Sequence, residues 1–285
     1  MVLPAVLALT AAGFYGASSI LVRRGLHGSN PHAGIIFSAI ANVAVLSIVF
    51  LLFVPLSVLL SWKALLIFAI AGLLAPGLAR LLRYTSLERV GVTRTGPITS
   101  ASPIISTGLA VLLLGEELTA RILLGTAMII AGVLVASWRE LDTNRADMIF
   151  AMGAAVLVGI SMPIRKYGLN LLDAPIAAGA ITALMALLMA LLIIGLGGHI
   201  RKVSIHDRNM KFFLISGACV GVAFILNYTA LSQAEVSVIG PLIQTAPIFA
   251  LVLSQAFINH LEKVTREVTI GTLLAVAGAV LIGAA

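Results

Sequence analysis

Apolar residues run along this chain in blocks of about twenty, separated by short clusters of charged residues, Gly, Pro and Asn. Cut at those clusters, the sequence yields ten segments: 2–22, 32–54, 62–82, 91–114, 119–137, 147–164, 174–196, 211–231, 236–258 and 267–282. A helix of about 20 residues rises far enough to cross a hydrocarbon core about 30 Å thick. Barrel strands would be about half that length with alternating polarity, and no such alternation is present. A helix also satisfies its own backbone groups in lipid. The pattern predicts an all-α integral membrane protein with ten transmembrane helices.

The blocks repeat. Tyr84 to Ile104 reads YTSLERVGVTRTGPITSASPI, and Tyr228 to Ile248 reads YTALSQAEVSVIGPLIQTAPI, at a constant offset of 144 and with 8 of 21 positions identical. Upstream, Gly16 and Ser18 correspond to Gly159 and Ser161, and Arg23-Arg24-Gly25 to the run Arg165-Lys166-Tyr167-Gly168. Downstream the offset becomes 146, pairing Glu116 with Glu262, Thr119 with Thr265, Gly125 with Gly271 and Gly132 with Gly278, after an insertion of two residues near Gln255–His260. The charged linker WRELDTNRAD, 138–147, separates the copies. Two units are expected, 4–138 and 147–283. Five spans each is an odd number, so the second unit enters the membrane from the opposite face, giving an inverted-topology repeat.

Composition agrees: 60% of the 285 residues are hydrophobic and 10% charged, against about 25% charged in soluble proteins, and mean hydropathy is +1.13. The formal charge of +7 sits between apolar segments, where lipid headgroups lie, and no basic run interleaves with aromatics. A nucleic-acid partner is therefore not expected; membrane lipid is. The lone Cys219 falls inside an apolar segment and permits no intrachain disulfide. Residues 2–22 lack a basic n-region and read as a retained first span. Lys and Arg, counted between spans, favour an external N-terminus.

Within the repeated stretch, Gly96-Pro97 with Pro103, and Gly240-Pro241 with Pro247, fall inside the fourth and ninth helices. Proline there removes a donor and frees a carbonyl, which suits a hinge or cavity wall, or a plain crossing kink. Gly125 and Gly132, like Gly271 and Gly278, are seven apart on one helical face, and are expected to pack the fifth helix on the tenth.

Ionisable groups at membrane depth carry the functional signal, since a central Arg costs roughly 2.5–3.5 kcal/mol on insertion scales. Arg80, Arg83 and Arg94 flank the turn between the third and fourth helices, with Tyr84 beside them; the second copy holds Phe224, Asn227 and Val238 instead. These arginines either line an electropositive cavity for a substrate carboxylate or phosphate, or snorkel to headgroups and pair with Glu88. Asn227, Tyr228 and Gln244 are the polar candidates of the second copy. All five histidines lie in or beside loops, without metal-ligand spacing, and no phosphate-binding, dinucleotide or nucleophile motif occurs. No catalytic residue, metal or cofactor is expected. Glu116 and Glu262 precede Thr119 and Thr265, which read as N-caps of the fifth and tenth helices.

The Tyr-Thr-Ser-Leu and Tyr-Thr-Ala-Leu ends of the third and eighth helices, the Gly-Pro…Pro of the fourth and ninth, and Leu114-Gly115-Glu116-Glu117-Leu118-Thr119 followed by Gly125 and Gly132 resemble the drug/metabolite transporter superfamily, specifically its ten-helix EamA-type members. The resemblance covers nearly the whole chain and implies both termini in the cytoplasm, against the charge count. It implies a secondary transporter of the cell (inner or plasma) membrane that exports a small polar, amino-acid-like metabolite by alternating access. The cavity is expected between helices 1, 3 and 4 and helices 6, 8 and 9. A coupling ion, such as a proton, stays open, as does the choice between a monomer and a weak homodimer. A lipid-carrier flippase of the same fold is the nearest rival. A polytopic membrane enzyme is another, but it would need clustered His, Asp or Ser at membrane depth, and the ten spans hold none.

Overall fold

The computed structural model describes residues 2–27, 29–89, 95, 98–136, 148–198, 203, 209–257 and 266–283. These form α1 (Val2–Leu26), α2 (Pro31–Phe53), α3 (Trp62–Gly72), α4 (Ala79–Arg89), α5 (Ser102–Leu114), α6 (Ala120–Ala136), α7 (Met148–Leu171), α8 (Pro175–Leu196), α9 (Met210–Gln233), α10 (Val236–Ile243), α11 (Ala246–Phe257) and α12 (Arg266–Gly283). Among them, seven helical stretches are long and apolar enough to cross a membrane, α3–α4 and α10–α11 each counting as one; 102–114, 120–135 and 269–283 are shorter apolar helices. The chain is an all-α, multi-pass membrane protein.

Local sequence explains the helix ends. Asn30 caps α2, its side chain accepting from His32 N at 2.9 Å, with Pro31 in the first turn where no donor is needed. Gly115 ends α5 in the left-handed region, φ 69°, which a side chain would resist. Two helices outrun their apolar segments: α1 continues to Leu26 rather than residue 22, and α7 to Leu171 rather than 164. Arg23, Arg24, Arg165 and Lys166 are therefore helical, and the loop count of charges that included Arg165 and Lys166 is corrected accordingly. Their extra turns cap a neighbour. Arg23 donates to Leu87 O at 3.2 Å, and Lys166 to Leu231 O at 2.9 Å and Ala234 O at 3.0 Å, placing a cation on the carbonyl end of α4 and of α9.

The third apolar segment is not one helix. Between α3 and α4 the residues Leu73–Leu78 form a wide turn in which Ala75 leaves helical geometry (φ −144°, ψ 123°) and Pro76 withholds a donor. The ninth segment breaks as well, between α10 and α11 at Gln244 and Thr245.

Small residues set the closest helix approaches, as expected where lipid gives no hydrophobic drive for association. A Cβ on Gly125 would stand 2.7 Å from Gly278 O, one on Gly278 2.6 Å from Gly125 O, and one on Gly132 2.5 Å from Gly271 O, so α6 and α12 pack backbone to backbone. A Cβ on Gly16 would meet Ala246 O at 2.9 Å, and one on Gly159 would meet Ser102 O at 3.0 Å. Thus α1 rests on α11 and α7 on α5. Large apolar side chains such as Leu52, Phe53, Leu112 and Leu196 face outward, as a lipid-facing surface requires.

Candidate functional site

The two broken helices meet. Ser100, at the turn that precedes α5, donates from Oγ to Gln244 O at 3.3 Å, and Gln244 Nε2 donates to Ser102 Oγ. Ser100 and Gln244 are 144 residues apart, so the equivalent turn of each copy touches the other. Pro103 opens α5, Pro241 lies inside α10 with Gly240 before it, and Pro247 opens α11. Pro241 and Pro247 thus bracket the turn at Gln244 and Thr245. Gly96, Pro97 and Arg94 lie outside the described residues, as do Glu262 and Thr265.

Beside this junction lies a cavity of about 180 Å³. Its wall is drawn from the six segments expected to form it, with Ser38 of α2 added. Of the candidate residues, Arg80, Arg83, Tyr84, Asn227, Gln244 and Pro247 line it. Arg83 donates to Ser19 Oγ at 2.7 Å, and Ser19 in turn donates to Tyr15 O at 2.9 Å. The helical spacing of Arg80 and Arg83 turns both guanidiniums inward; Glu88, which the snorkelling alternative pairs with them, is exposed near the end of α4. Asn227 is buried, with Nδ2 3.5 Å from the Tyr15 hydroxyl, and its Oδ1 has no hydrogen-bond partner among the described residues.

Tyr84 and Tyr228 part company. Tyr84 reaches the cavity, its hydroxyl 2.9 Å from Ser38 Oγ. Tyr228 is fully buried behind the wall and donates to Thr182 Oγ1 at 2.7 Å. The two bonds occupy equivalent places, Ser38 and Thr182 also being 144 apart. What differs is what Tyr228 supports: its ring lies 5.4 Å from the guanidinium carbon of Arg165, with Phe224 on another side at 5.9 Å.

Arg165 is a charged residue of the cavity wall that the sequence reading missed. It is buried in the last turns of α7 and lines the cavity. Its Nη2 donates to Ala75 O, the carbonyl laid bare by the break before Pro76, which Ser161 Oγ also meets at 3.2 Å. Its Nε has no hydrogen-bond partner among the described residues. A guanidinium held by one carbonyl and two rings still has donors to offer. The available signal was the adjacency of Arg165 to Met162-Pro163-Ile164, apolar residues that place it inside a continuing helix.

Outside the cavity, Glu116 also departs from expectation. Thr119 does cap α6, accepting from Ile122 N at 3.3 Å. Glu116 instead reaches into the other half, where its carboxylate accepts from Val236 N at 2.8 Å and Ser237 N at 2.9 Å, at the start of α10. No group of three or more His, Cys, Asp or Glu that could hold a metal occurs among the described residues.

The model of a family described as EamA-like transporter family matches this chain twice, over residues 2–138 and 146–284. The chain belongs to the EamA-like transporter family. It is accordingly a secondary transporter and not a catalytic enzyme, which removes the membrane-enzyme rival. A solved structure titled only as the crystal structure of a protein is similar to this EamA-like chain, with a TM-score of 0.75 and 16% identity, over 98% of this chain and 95% of that one. At that identity the likeness concerns the fold. No curated protein matches the EamA-like chain.

Proposed function

We propose that this EamA-like transporter exports a small polar metabolite, of amino-acid size, across the cell membrane, and that two inverted five-helix repeats, 4–138 and 147–283, alternate access to the cavity around Arg80, Arg83, Asn227 and Gln244. The observation that carries the reading is the junction of Ser100 with Gln244 beside a cavity walled by both halves. Bare backbone at membrane depth is tolerated where it lines a cavity, and paired broken helices are how such transporters build a midplane site.

Reciprocity supports the inverted arrangement. Gly125 meets Gly278 while Gly132 meets Gly271; Gly16 meets Ala246 while Gly159 meets Ser102. Residue i of one half touching j of the other, with their equivalents doing the same, is the mark of a two-fold axis. An odd number of spans per half lays that axis in the membrane plane. The cavity volume of about 180 Å³ is below the roughly 300–1,000 Å³ of drug-sized sites, which favours a small cargo.

The test compares metabolites released by cells overexpressing the protein with those of cells lacking it, followed by the same measurement with the pH gradient collapsed. Export predicts an external pool that rises with expression and an internal pool that falls. An unchanged pool of every small polar metabolite would overturn the reading.

A further inference from the structure

The cavity wall carries three arginines, Arg80, Arg83 and Arg165, and among its described lining residues no Asp or Glu. Every other polar group there is neutral: hydroxyls from Tyr15, Ser18, Ser19, Ser38, Tyr84, Thr95 and Thr99, and the amides of Asn227 and Gln244. Charges taken out of water are tolerated when paired, and leaving them unpaired is the costly case. Here the protein's own groups supply only carbonyl and hydroxyl oxygens: Ala75 O for Arg165 and Ser19 Oγ for Arg83. Arg80 has no hydrogen bond among the described residues.

We infer that the transported metabolite is an organic dianion, a dicarboxylate or a phosphomonoester, bound by Arg80, Arg83 and Arg165 together. This rests on the transport reading above and names its substrate class. A zwitterion would bring an ammonium among three guanidiniums with no carboxylate to receive it; a monoanion would leave most of the charge unmatched. Two negative charges with several acceptor oxygens match the planar guanidinium donors, which favour carboxylate and phosphate geometry. The unpaired Oδ1 of Asn227 adds a preference for a substrate that also donates, as a hydroxyl does.

Arg165 is held by Ala75 O and the rings of Tyr228 and Phe224, so it is fixed before substrate arrives. Arg80 makes no comparable bond among the described residues, so changing it alters the charge of the cavity without breaking a hydrogen bond of the fold. That makes Arg80→Gln the clean variant and Arg80→Lys its rescue. Arg165→Gln is expected to disturb the α3–α4 break as well.

The experiment uses the full chain, purified in detergent for binding and reconstituted in vesicles for exchange. The probes are L-malate, glycerol 3-phosphate, L-alanine, L-glutamine and inorganic phosphate. Saturable thermal stabilisation by malate or glycerol 3-phosphate is expected, with alanine and glutamine inert; which of the two binds separates the dicarboxylate from the phosphomonoester. Arg80→Gln weakens that binding about 10- to 100-fold, and Arg80→Lys restores most of it. Response to inorganic phosphate only, or exchange of alanine or glutamine without either dianion, overturns the inference, and the second result leaves the transport reading standing. Dianion binding without exchange in vesicles sinks the transport reading and leaves the assignment of the site. Dianion binding that Arg80→Gln leaves unchanged also overturns the inference.

Discussion

Replacing Glu116 by Ala tests whether the two halves are locked by a single carboxylate. Its oxygens take the N–H groups of Val236 and Ser237 at 2.8 and 2.9 Å, and the residue is buried. Hydrogen bonds to a charged acceptor are worth about 1.5–3 kcal/mol each, but the two share one side chain and are not additive. Losing an N-cap costs about 0.5–2 kcal/mol, and a negative charge at a helix start adds about 0.3–1 kcal/mol. Taken as overlapping effects these give about 2–3 kcal/mol, or a 30- to 150-fold shift in the folded-to-unfolded ratio at about 1.36 kcal/mol per decade. Glu116→Gln keeps one acceptor oxygen and sets an amide donor against the second N–H, so it falls between. The assay is reversible unfolding of the purified protein in mixed micelles by titrating in a denaturing detergent, followed by loss of helical signal. Wild-type stability in the alanine variant, within about 0.5 kcal/mol, would refute the lock and leave Glu116 a loop residue of its own half.

Gly132→Ala drives a methyl to 2.5 Å from Gly271 O and 2.8 Å from Ala275 N. Such overpacking costs about 1–3 kcal/mol, read as a lower folded fraction on size-exclusion chromatography after mild heating, whereas Gly108→Ala, whose Cβ meets nothing within 4 Å, is neutral. Tyr228→Phe and Thr182→Ala remove the same buried hydrogen bond; each costs about 1 kcal/mol and the double variant costs less than their sum, measured by the same micelle titration. Additive losses would mean the bond contributes nothing. Gln244→Ala removes the side-chain bond to Ser102 at the junction of the two breaks; it slows exchange in vesicles several-fold while the unfolding midpoint changes little, and an unchanged rate would separate that contact from the transport step.

Length and punctuation carried much of the architecture. The Gly-Pro…Pro spacing located the helix break at Gln244 to within a few residues, because proline acts on its own backbone whatever surrounds it. The break at Ala75 was passed over although Pro76-Gly77 marks it, because Leu73, Leu74 and Leu78 keep the segment apolar and a length criterion reads straight through. Arg80 and Arg83 stood out by lying inside an apolar run. Arg165 did not, since a basic pair after an apolar segment looks like a loop, and only the extra turns of α7 bury it. Partners brought together by tertiary packing, such as Glu116 with Val236 or Thr182 with Tyr228, leave no local trace: the residues are 120 and 46 positions apart. The asymmetry of the copies was visible from alignment, and its meaning was not, because Phe224 and Tyr228 act as a floor for a cation that the first copy does not have.

The positions that correspond to Arg80, Arg83 and Arg165 in the opposite half are Phe224, Asn227 and Val22, all of which face the same cavity. Two identical copies of the first half docked around the same axis would contribute Arg80 and Arg83 twice, placing four like charges in a space of about 180 Å³, which self-repulsion disfavours. Joining the copies in one polypeptide frees each from matching the other. The first half then supplies two of the three cations, and the second supplies the third together with the aromatic and amide surface, so the cavity is a heterodimer's chamber encoded in a single chain.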